Sequence, residues 1–288
     1  MSGTDDAVGF IGLGNMGSAL CANLVSEGLD VWCFDRAGAE RAPEGARVAE
    51  SVSEVASNTT VMVLSLPDGH ASASVAGAII ATRGCSVTDV LDTSTIGPQA
   101  AIEVESLLAS AGISLIDAPV SGGPAGARAR TLAVMYGGSD AACARAGAVL
   151  GALSDQLHRV AQRPGPAQAM KLANNFLSAT ALAATSEAIA FGMASGLEMG
   201  TMLEVLNGAS GRSAATSDKF PTHVLTGRYA SGFSNTLMAK DLRLYLASVD
   251  AIDAPEAIGP ISASLWERFA TAEPDVDFTR IFPYVEGL

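Results

Sequence analysis

The stretch Val8-Gly9-Phe10-Ile11-Gly12-Leu13-Gly14-Asn15-Met16-Gly17 decides the fold of this chain. An apolar run ends in three glycines with the spacing G-x-G-x-x-G, and residues 15–27 then have the periodicity of a helix. A strand, a glycine-rich turn and a helix in this order are typical of a dinucleotide-binding fold. The first glycine permits a tight turn, the second lets the backbone approach a pyrophosphate, and the third lets the helix pack on the strand. The candidate cofactor-binding residues of this turn are Gly12, Leu13, Gly14, Asn15, Met16 and Gly17.

A carboxylate follows the second predicted strand. The apolar run 31–34 ends at Asp35, 23 positions beyond Gly12, where an acid accepts hydrogen bonds from the ribose of adenosine. The neighbouring Arg36 could pair with a 2′-phosphate, face solvent or stack on the adenine, whereas Asp35 would repel a 2′-phosphate. The pattern therefore favours NAD and leaves NADP open. The alternative is a βα turn that needs its glycines for folding alone.

Short apolar runs alternate with Ala-rich amphipathic stretches in the first half of the chain, which predicts parallel βαβ units. The predicted strands span 8–13, 31–34, 60–66, 90–92, 114–117 and 132–136, and the predicted helices 15–27, 71–81, 98–111 and 140–150. From Pro164 onward, helical segments replace strands, at 166–194, 198–207, 214–225, 237–249 and 254–269. We therefore predict an α/β protein. An N-terminal Rossmann-like dinucleotide-binding domain (1–163) precedes an all-helical C-terminal domain (164–288) for substrate binding and oligomerisation, and a long hinge helix (164–194) joins them.

The composition excludes several classes of protein. Thirty acidic residues against 17 basic ones give a formal net charge of −13, which disfavours nucleic acid as a partner. The mean hydropathy is +0.31, but the longest apolar stretch, 179–195, contains Glu187, and we interpret it as a buried helix rather than a membrane span. Residues 1–6 lack the features of an export signal, which favours the cytoplasm. The scattered cysteines indicate neither a disulfide framework nor a metal site; they are Cys21, Cys33, Cys85 and Cys143.

Chemistry in an open parallel sheet is expected just beyond the carboxyl ends of the strands. Three segments at such positions are 64–68, 92–98 and 117–124. The last contains Ser121-Gly122-Gly123, whose hydroxyl and backbone N–H groups suit a carboxylate, although an ordinary flexible loop has the same composition. Lys171 and Asn175 are four residues apart on an otherwise apolar helix and so share one face. A buried lysine with a lowered pKa can exchange protons near neutrality, whereas a lysine on a solvated face would be an ordinary surface residue.

Five motifs follow one another in order over nearly the whole chain. They are residues 10–17, Asp92-Thr93-Ser94-Thr95-Ile96, Asp117-Ala118-Pro119-Val120-Ser121-Gly122-Gly123, Lys171-Leu172-Ala173-Asn174-Asn175 and Lys240-Asp241-Leu242. Together they resemble those of the β-hydroxyacid dehydrogenases, the family of the 3-hydroxyisobutyrate dehydrogenases and tartronate semialdehyde reductases. The resemblance implies a helical second domain like that of the 6-phosphogluconate dehydrogenases.

The resemblance also implies roles for individual residues. The dinucleotide would contact Leu66, Pro67 and Thr95, and the substrate carboxylate would lie against Ser121, Gly122 and Gly123. Lys171 would be the catalytic residue with Asn175 assisting it. Lys240 would reach substrate and cofactor from the second domain, and Phe233 would close over the ligand. The residues named for the site include no set of metal ligands, so no metal cofactor is expected.

The implied activity is hydride transfer between a nicotinamide and a short-chain hydroxy acid or its semialdehyde, with Lys171 as the acid in reduction and the base in oxidation. The alternatives are a non-catalytic dinucleotide-binding module and an imine reductase-like enzyme for a different substrate. Two departures bear on substrate identity: Arg130 stands where the family usually has glycine, and Gly165-Pro166-Ala167 replaces Gly-x-Gly. The apolar, sparsely charged second half predicts a homodimer or homotetramer.

Overall fold

The fold is taken from a computed structural model, which describes residues 7–288. The chain forms two compact units, one running up to Lys171 and the other spanning Leu172–Leu288. Residues 1–6, on which the expectation of a cytoplasmic protein rests, lie outside the described residues.

In the described part of the chain, a nine-stranded sheet forms the centre of the first unit. Its strands are β1 (Val8–Ile11), β2 (Val31–Phe34), β3 (Arg47–Val48), β4 (Val61–Leu64), β5 (Asp89–Asp92), β6 (Ser114–Asp117), β7 (Val120–Ser121), β8 (Ala133–Gly137) and β9 (Gln156–Ala161). The strand order is β3-β2-β1-β4-β5-β6-β8-β7, with β9 beside β8. Strands β1 to β6 are parallel, whereas β8 is antiparallel to β6 and β7. The chain reverses its direction of progress across the sheet between β1 and β4, which is where ligands bind in open α/β sheets.

Helices cover the sheet because the strands are apolar on both faces. The helices are α1 (Asn15–Ser26), α2 (Val52–Asn58), α3 (Gly69–Ala81), α4 (Pro98–Ala109), α5 (Gly123–Arg128), α6 (Asp140–Arg145) and α7 (Gly147–Leu153). Phe10 and Val63 point into one apolar cluster with Leu20 and Leu24 of α1. The alternate residues Met62 and Leu64 belong to a second cluster with Ile79 of α3, as the two-residue period of a strand requires.

The second unit is helical, as predicted. The helix α8 (Pro166–Ala194) begins in the first unit and is followed by α9 (Met199–Asn207), a π-helix (Ala215–Val224), α10 (Asn235–Asp250), α11 (Gly259–Ala272), a 3-10 turn (Phe278–Arg280) and α12 (Ile281–Glu286). Its core is aromatic, with Trp266 packed against Phe269 and Phe278 at ring-centroid distances of 5.9 and 6.1 Å. The predicted helix start at 254 is wrong: α11 starts at Gly259 and has Pro260 in its first turn, where proline is tolerated.

Several short elements do not follow from the sequence patterns. Strands β3 and β7 have two residues each, too few to show an alternation of polar and apolar residues. Strand β9 is exposed or partly exposed throughout, so no apolar run marks it. The predicted helix 140–150 is two helices, α6 and α7, which meet at Ala146.

Arg130 has a left-handed backbone, with φ of +57°, at the position where the resembled family usually has glycine. Its guanidinium donates to the carbonyl oxygen of Gly151 at 2.8 Å and to Asp155 Oδ1 at 3.2 Å, and it also pairs with Glu27. The side chain therefore connects the end of α1 to α7 and to the residues that follow α7, while the backbone at this position is strained.

We expect Arg130→Gly to be more stable than Arg130→Ala by about 1 kcal/mol, because both lose the ion pairs but only glycine relieves the left-handed strain. The free energy of unfolding in urea measures the difference. An alanine variant as stable as the glycine variant would show that the backbone strain at this position is negligible.

Candidate functional site

The three glycines of the glycine-rich turn between β1 and α1 differ in the atoms that surround them. Gly12 has φ of +96°, and a methyl group on it would overlap the carbonyl oxygen of Ser65. A methyl group on Gly17 would overlap the carbonyl oxygen of Gly12, so α1 packs directly on the turn. Gly14 is exposed, and a Cβ placed on it would meet no atom within 4 Å. The backbone at Gly14 is thus open to a ligand at the N-terminus of α1, as binding of a pyrophosphate requires.

A cavity beside Asp35 completes the cofactor half of the site. The cavity has a volume of about 230 Å³ and is lined by Leu13, Cys33, Phe34, Asp35, Gly38, Ala39, Val48 and Ala49. The carboxylate of Asp35 accepts hydrogen bonds from the backbone N–H of Leu13 at 2.5 Å and of Ala37 at 2.7 Å, which ties the end of β2 to the glycine-rich turn. A carboxylate has about four acceptor positions, so Asp35 retains capacity for a ribose hydroxyl. These residues fit the adenosine part of a dinucleotide, and Arg36 lies exposed beside them.

The loops after β4 and β5 are bound to each other. The hydroxyl of Ser94 accepts a hydrogen bond from the N–H of Leu66 at 2.8 Å, and the hydroxyl of Thr93 donates to the carbonyl oxygen of Leu64 at 2.7 Å. The predicted cofactor residues Leu66 and Thr95 therefore lie on two loops held together at the carboxyl edge of the sheet.

The Ser121-Gly122-Gly123 segment lies where a short strand passes into a helix. Ser121 ends strand β7 and pairs with Ala133 of β8, and Gly123 begins α5. Gly122 and Gly123 have φ of +134° and +68°, conformations that glycine adopts without strain. The glycines thus turn the chain sharply between a strand and a helix.

Two residues without an assigned role, Gln168 and Asp117, connect the start of α8 to the sheet. Gln168 is fully buried, and its Oε1 accepts hydrogen bonds from the N–H groups of Ile96 and Gly97 at 2.9 and 3.1 Å. Asp117, at the end of β6, accepts a hydrogen bond from the N–H of Gly165 at 2.7 Å. Sequence patterns did not single out Gln168, because its partners lie more than 70 positions away.

Burial raises the pKa of the Asp117 carboxyl to about 7, against the opposing effect of the hydrogen bond from Gly165. Asp92 lies directly opposite Asp117 on the neighbouring strand β5, and burial raises the pKa of its carboxyl as well. Two buried acids thus adjoin at the carboxyl edge of the sheet, and the charge of Asp92 makes ionisation of Asp117 less favourable.

Asp117→Asn should change how stability depends on pH. The folded state binds the Asp117 proton more tightly than the unfolded chain does, so this stabilisation is complete below about pH 4 and is lost as pH rises through 7. Between pH 5 and 8 the wild type should lose about 2–3 kcal/mol of unfolding free energy that the variant keeps. Urea unfolding at both pH values measures this. Parallel stability curves for the two proteins would contradict the raised pKa.

Lys171 lies in the second turn of α8, three residues beyond Gln168. Its exposed fraction is 7%. The alternative of a lysine on a solvated helix face therefore does not hold. Burial of an ammonium group requires compensating partners inside the protein.

In the second unit, Asn175 and Lys240 meet at a shared partner. The side-chain amide of Asn175 donates to Asp241 Oδ2 at 2.6 Å, and Lys240 Nζ lies 3.2 Å from Asp241 Oδ1. Asp241 is 2% exposed and was part of a quoted motif without receiving a role. Phe233 packs edge-on against Phe278 at a ring-centroid distance of 5.7 Å. The structure thus brings Asn175, Lys240 and Asp241 together.

Two family models match this chain. Residues 7–161 match the family described as the NAD binding domain of 6-phosphogluconate dehydrogenase, and residues 165–285 match the family described as NAD-binding of NADP-dependent 3-hydroxyisobutyrate dehydrogenase. The chain belongs to the β-hydroxyacid dehydrogenase family. This confirms the resemblance, the Rossmann-like fold with a helical C-terminal part, and an NAD(P)-dependent dehydrogenase rather than a non-catalytic binding module.

Relatives of this β-hydroxyacid dehydrogenase match it over almost its whole length. It is 34% identical to the 3-hydroxyisobutyrate dehydrogenase of Pseudomonas aeruginosa, with 97% of this chain and 98% of the relative covered. It is 33% identical to the 2-(hydroxymethyl)glutarate dehydrogenase of Eubacterium barkeri, with 90% and 88% covered. A solved structure of the Mycobacterium tuberculosis 3-hydroxyisobutyrate dehydrogenase with L-serine matches with a TM-score of 0.90 and 32% identity, covering 98% of this chain and 99% of the other.

The imine reductase alternative receives no support beyond the fold. The imine reductases of Streptomyces aurantiacus and Myxococcus stipitatus are 20–21% identical to this chain with TM-scores of 0.62–0.64. The dehydrogenase relatives indicate a small-molecule substrate for this enzyme.

Helix α8 is long and apolar enough to cross a membrane by length and composition, with a mean hydropathy of 1.3 over its most apolar window, of which 39% is buried. It is thus less buried than the sequence suggested. This helix lies within residues 165–285, which match the dehydrogenase family. Within residues 7–288, no cluster of three or more His, Cys, Asp or Glu side chains could hold a metal ion.

Proposed function

We propose that this dehydrogenase oxidises 3-hydroxyisobutyrate, or a hydroxy acid of similar length, to the semialdehyde, and catalyses the reverse reduction, with Lys171 as the general acid and base. The burial of Lys171 carries the proposal, because an ammonium group held inside the protein is suited to exchange a proton with a bound hydroxyl group. The substrate class is supported by relatives named for 3-hydroxyisobutyrate and 2-(hydroxymethyl)glutarate.

The cofactor and the side chains of the protein have different proposed roles in the reaction. The nicotinamide cofactor supplies the hydride acceptor or donor when bound. Lys171 Nζ removes the hydroxyl proton in oxidation and returns it in reduction. Asn175 assists, and its amide is oriented by the hydrogen bond to Asp241. The side chain of Lys240, beside the same carboxylate, contributes positive charge toward substrate and cofactor.

The substrate carboxylate is proposed to bind Ser121, Gly122 and Gly123. Fixing the substrate at both its carboxylate and its hydroxyl selects for chain length and for handedness at the reacting carbon.

The cofactor is proposed to bind along the glycine-rich turn, with Leu66, Pro67 and Thr95 on its nicotinamide side. Its ribose is proposed to lie at Asp35 and Arg36. Asp35 favours NAD over NADP, since its carboxylate would repel a 2′-phosphate. Replacing Asp35 with serine should shift the ratio of kcat/KM values toward NADP.

A screen of substrates tests the proposed function. The absorbance of the reduced nicotinamide is followed with NAD and with NADP against 3-hydroxyisobutyrate, glycerate, 3-hydroxypropionate, 4-hydroxybutyrate and threonate, and with succinic and tartronic semialdehydes in reverse. We expect the highest kcat/KM with 3-hydroxyisobutyrate and NAD. Tight cofactor binding without turnover of any of these compounds would contradict the proposal.

The proposed enzyme is a cytoplasmic homodimer or homotetramer with a domain boundary at residue 163/164. The second unit supports assembly, because large apolar side chains such as Phe191 and Leu177 are 76% and 65% exposed. Light scattering coupled to size-exclusion chromatography tests this, and a monodisperse monomer would contradict it.

A further inference from the structure

Gln168 uses both ends of its side-chain amide inside the first unit. Its Oε1 accepts from two consecutive backbone N–H groups, those of Ile96 and Gly97, at 2.9 and 3.1 Å. Its Nε2 donates to the carbonyl oxygen of Ser94 at 3.0 Å and lies 3.5 Å from Asp117 Oδ1. The side chain is fully buried, so water cannot replace these bonds.

These bonds join two segments that the proposed reaction uses. The segment 94–97 contains Thr95, to which the cofactor is proposed to bind, and Gln168 holds it from both sides of that residue. Gln168 lies one helical turn before Lys171 on the same face of α8. The N-terminal end of this helix is fixed further by the hydrogen bond from Gly165 to Asp117.

We propose that Gln168 is a positioning residue for hydride transfer, which holds the segment 94–97 in register with the turn of α8 that carries Lys171. This inference rests on the proposed function, because it assigns Thr95 to the cofactor and Lys171 to the substrate hydroxyl. The geometry of the two reactants is sensitive to such a connection, since a displacement of about 1 Å can lower a rate by about 10²-fold.

Two substitutions of Gln168 remove different hydrogen bonds of its side chain. Gln168→Met fills the same space but leaves two N–H groups and one carbonyl oxygen without partners. Gln168→Glu keeps the acceptor for Ile96 and Gly97 but loses the donor to Ser94, and it places a third carboxyl group near Asp117. We therefore expect Gln168→Met to lose the connection to both sides of Thr95. Gln168→Glu should keep the bonds to Ile96 and Gly97 and lose those of Nε2, to Ser94 and Asp117.

Asn23→Leu is the matched control. Asn23 is likewise a buried side-chain amide bonded to the backbone of other segments: it lies in α1 and donates to the carbonyl oxygens of Ala127 at 2.8 Å and Leu153 at 3.4 Å. It has no place in the proposed site. Its loss destabilises the first unit without touching the segment 94–97.

The first measurement is hydrogen exchange of the ligand-free protein by mass spectrometry. We expect exchange in peptides containing residues 94–97 to accelerate at least about tenfold in Gln168→Met and to remain near wild type in Asn23→Leu, once global stability is matched. Unchanged exchange in Gln168→Met, or equal acceleration in the control, would overturn the connection itself.

The second measurement separates positioning from stability in the working enzyme, with 3-hydroxyisobutyrate and NAD. We expect Gln168→Met to lower kcat about 10- to 100-fold, with the NADH dissociation constant, from fluorescence titration, within about threefold of wild type. Oxidation of substrate deuterated at the carbinol carbon should show a larger kinetic isotope effect in the variant, because hydride transfer becomes slower than the other steps. Gln168→Glu should lose less of kcat than Gln168→Met.

Loss of active protein alone would lower the rate and leave the isotope effect unchanged, and that result would overturn the positioning role. A wild-type protein without turnover would instead refute the proposed function, and the positioning role with it. The exchange measurement would then still decide whether Gln168 holds the segment 94–97.

Discussion

Lys171→Met should lower kcat for oxidation of 3-hydroxyisobutyrate by about 10²–10⁴-fold, which is the usual contribution of a general acid or base. Methionine has a similar length and suits a site where the native side chain is only 7% exposed, so the fold should be retained. The loss should lie in kcat, since the substitution removes the group that accepts the proton and leaves the glycine-rich turn intact. Steady-state kinetics and fluorescence titration of NADH measure the two effects.

Lys171→Arg is the control for charge. Arginine keeps the positive charge but is not deprotonated under ordinary conditions, so it cannot act as the base. It should be nearly as inactive as the methionine variant. A second control is Lys171→Ala with added primary amines, which should restore part of the rate if the missing function is proton transfer. A methionine variant that retains most of its turnover while binding NADH normally would refute the role of Lys171.

The sequence predicted the parts of the site whose causes are local. Gly12, Gly14 and Gly17 have different surroundings, and the G-x-G-x-x-G spacing anticipates each of them because the strand, turn and helix are consecutive in the chain. The carboxylate of Asp35 was predicted to bind ribose, and the structure adds that it also holds the turn through the N–H of Leu13. That contact requires β1 and β2 to be paired in the sheet, and the local sequence pattern does not show this pairing.

The long-range contacts could not be predicted in the same way. Gln168 reaches Ser94 across 74 positions, and Asn175 reaches Asp241 across 66. No rule of sequence spacing predicts either contact, because both depend on how the sheet and helices pack. A buried polar residue on an apolar helix is the one signal that was available, and it indicated Lys171 and Asn175 but not Gln168, which precedes the quoted motif. The motif Lys240-Asp241-Leu242 contained the acid that orients Asn175, yet its role became visible through the contact alone.

Gly14→Ala and Gly17→Ala should differ in stability, although both should weaken cofactor binding. Gly14 has φ of −61° and ψ of −170°, which alanine can adopt, and no protein atom lies within 4 Å of the added methyl group. The unfolding free energy of Gly14→Ala should therefore remain within about 1 kcal/mol of wild type. If the pyrophosphate lies against this backbone, the methyl group should cost about 1–3 kcal/mol of binding, which is about a 5- to 150-fold rise in the NADH dissociation constant.

Gly17→Ala places its methyl group against the carbonyl oxygen of Gly12, which is backbone and cannot move aside without disturbing the turn. We expect destabilisation by about 3 kcal/mol or more, together with weaker binding that follows from the damaged turn. Urea unfolding and NADH titration of both variants measure the contrast. Normal NADH affinity in Gly14→Ala would place the pyrophosphate elsewhere, because a methyl group in open space affects a ligand only if the ligand occupies that space. Wild-type stability in Gly17→Ala would show that α1 does not need to pack directly on the turn.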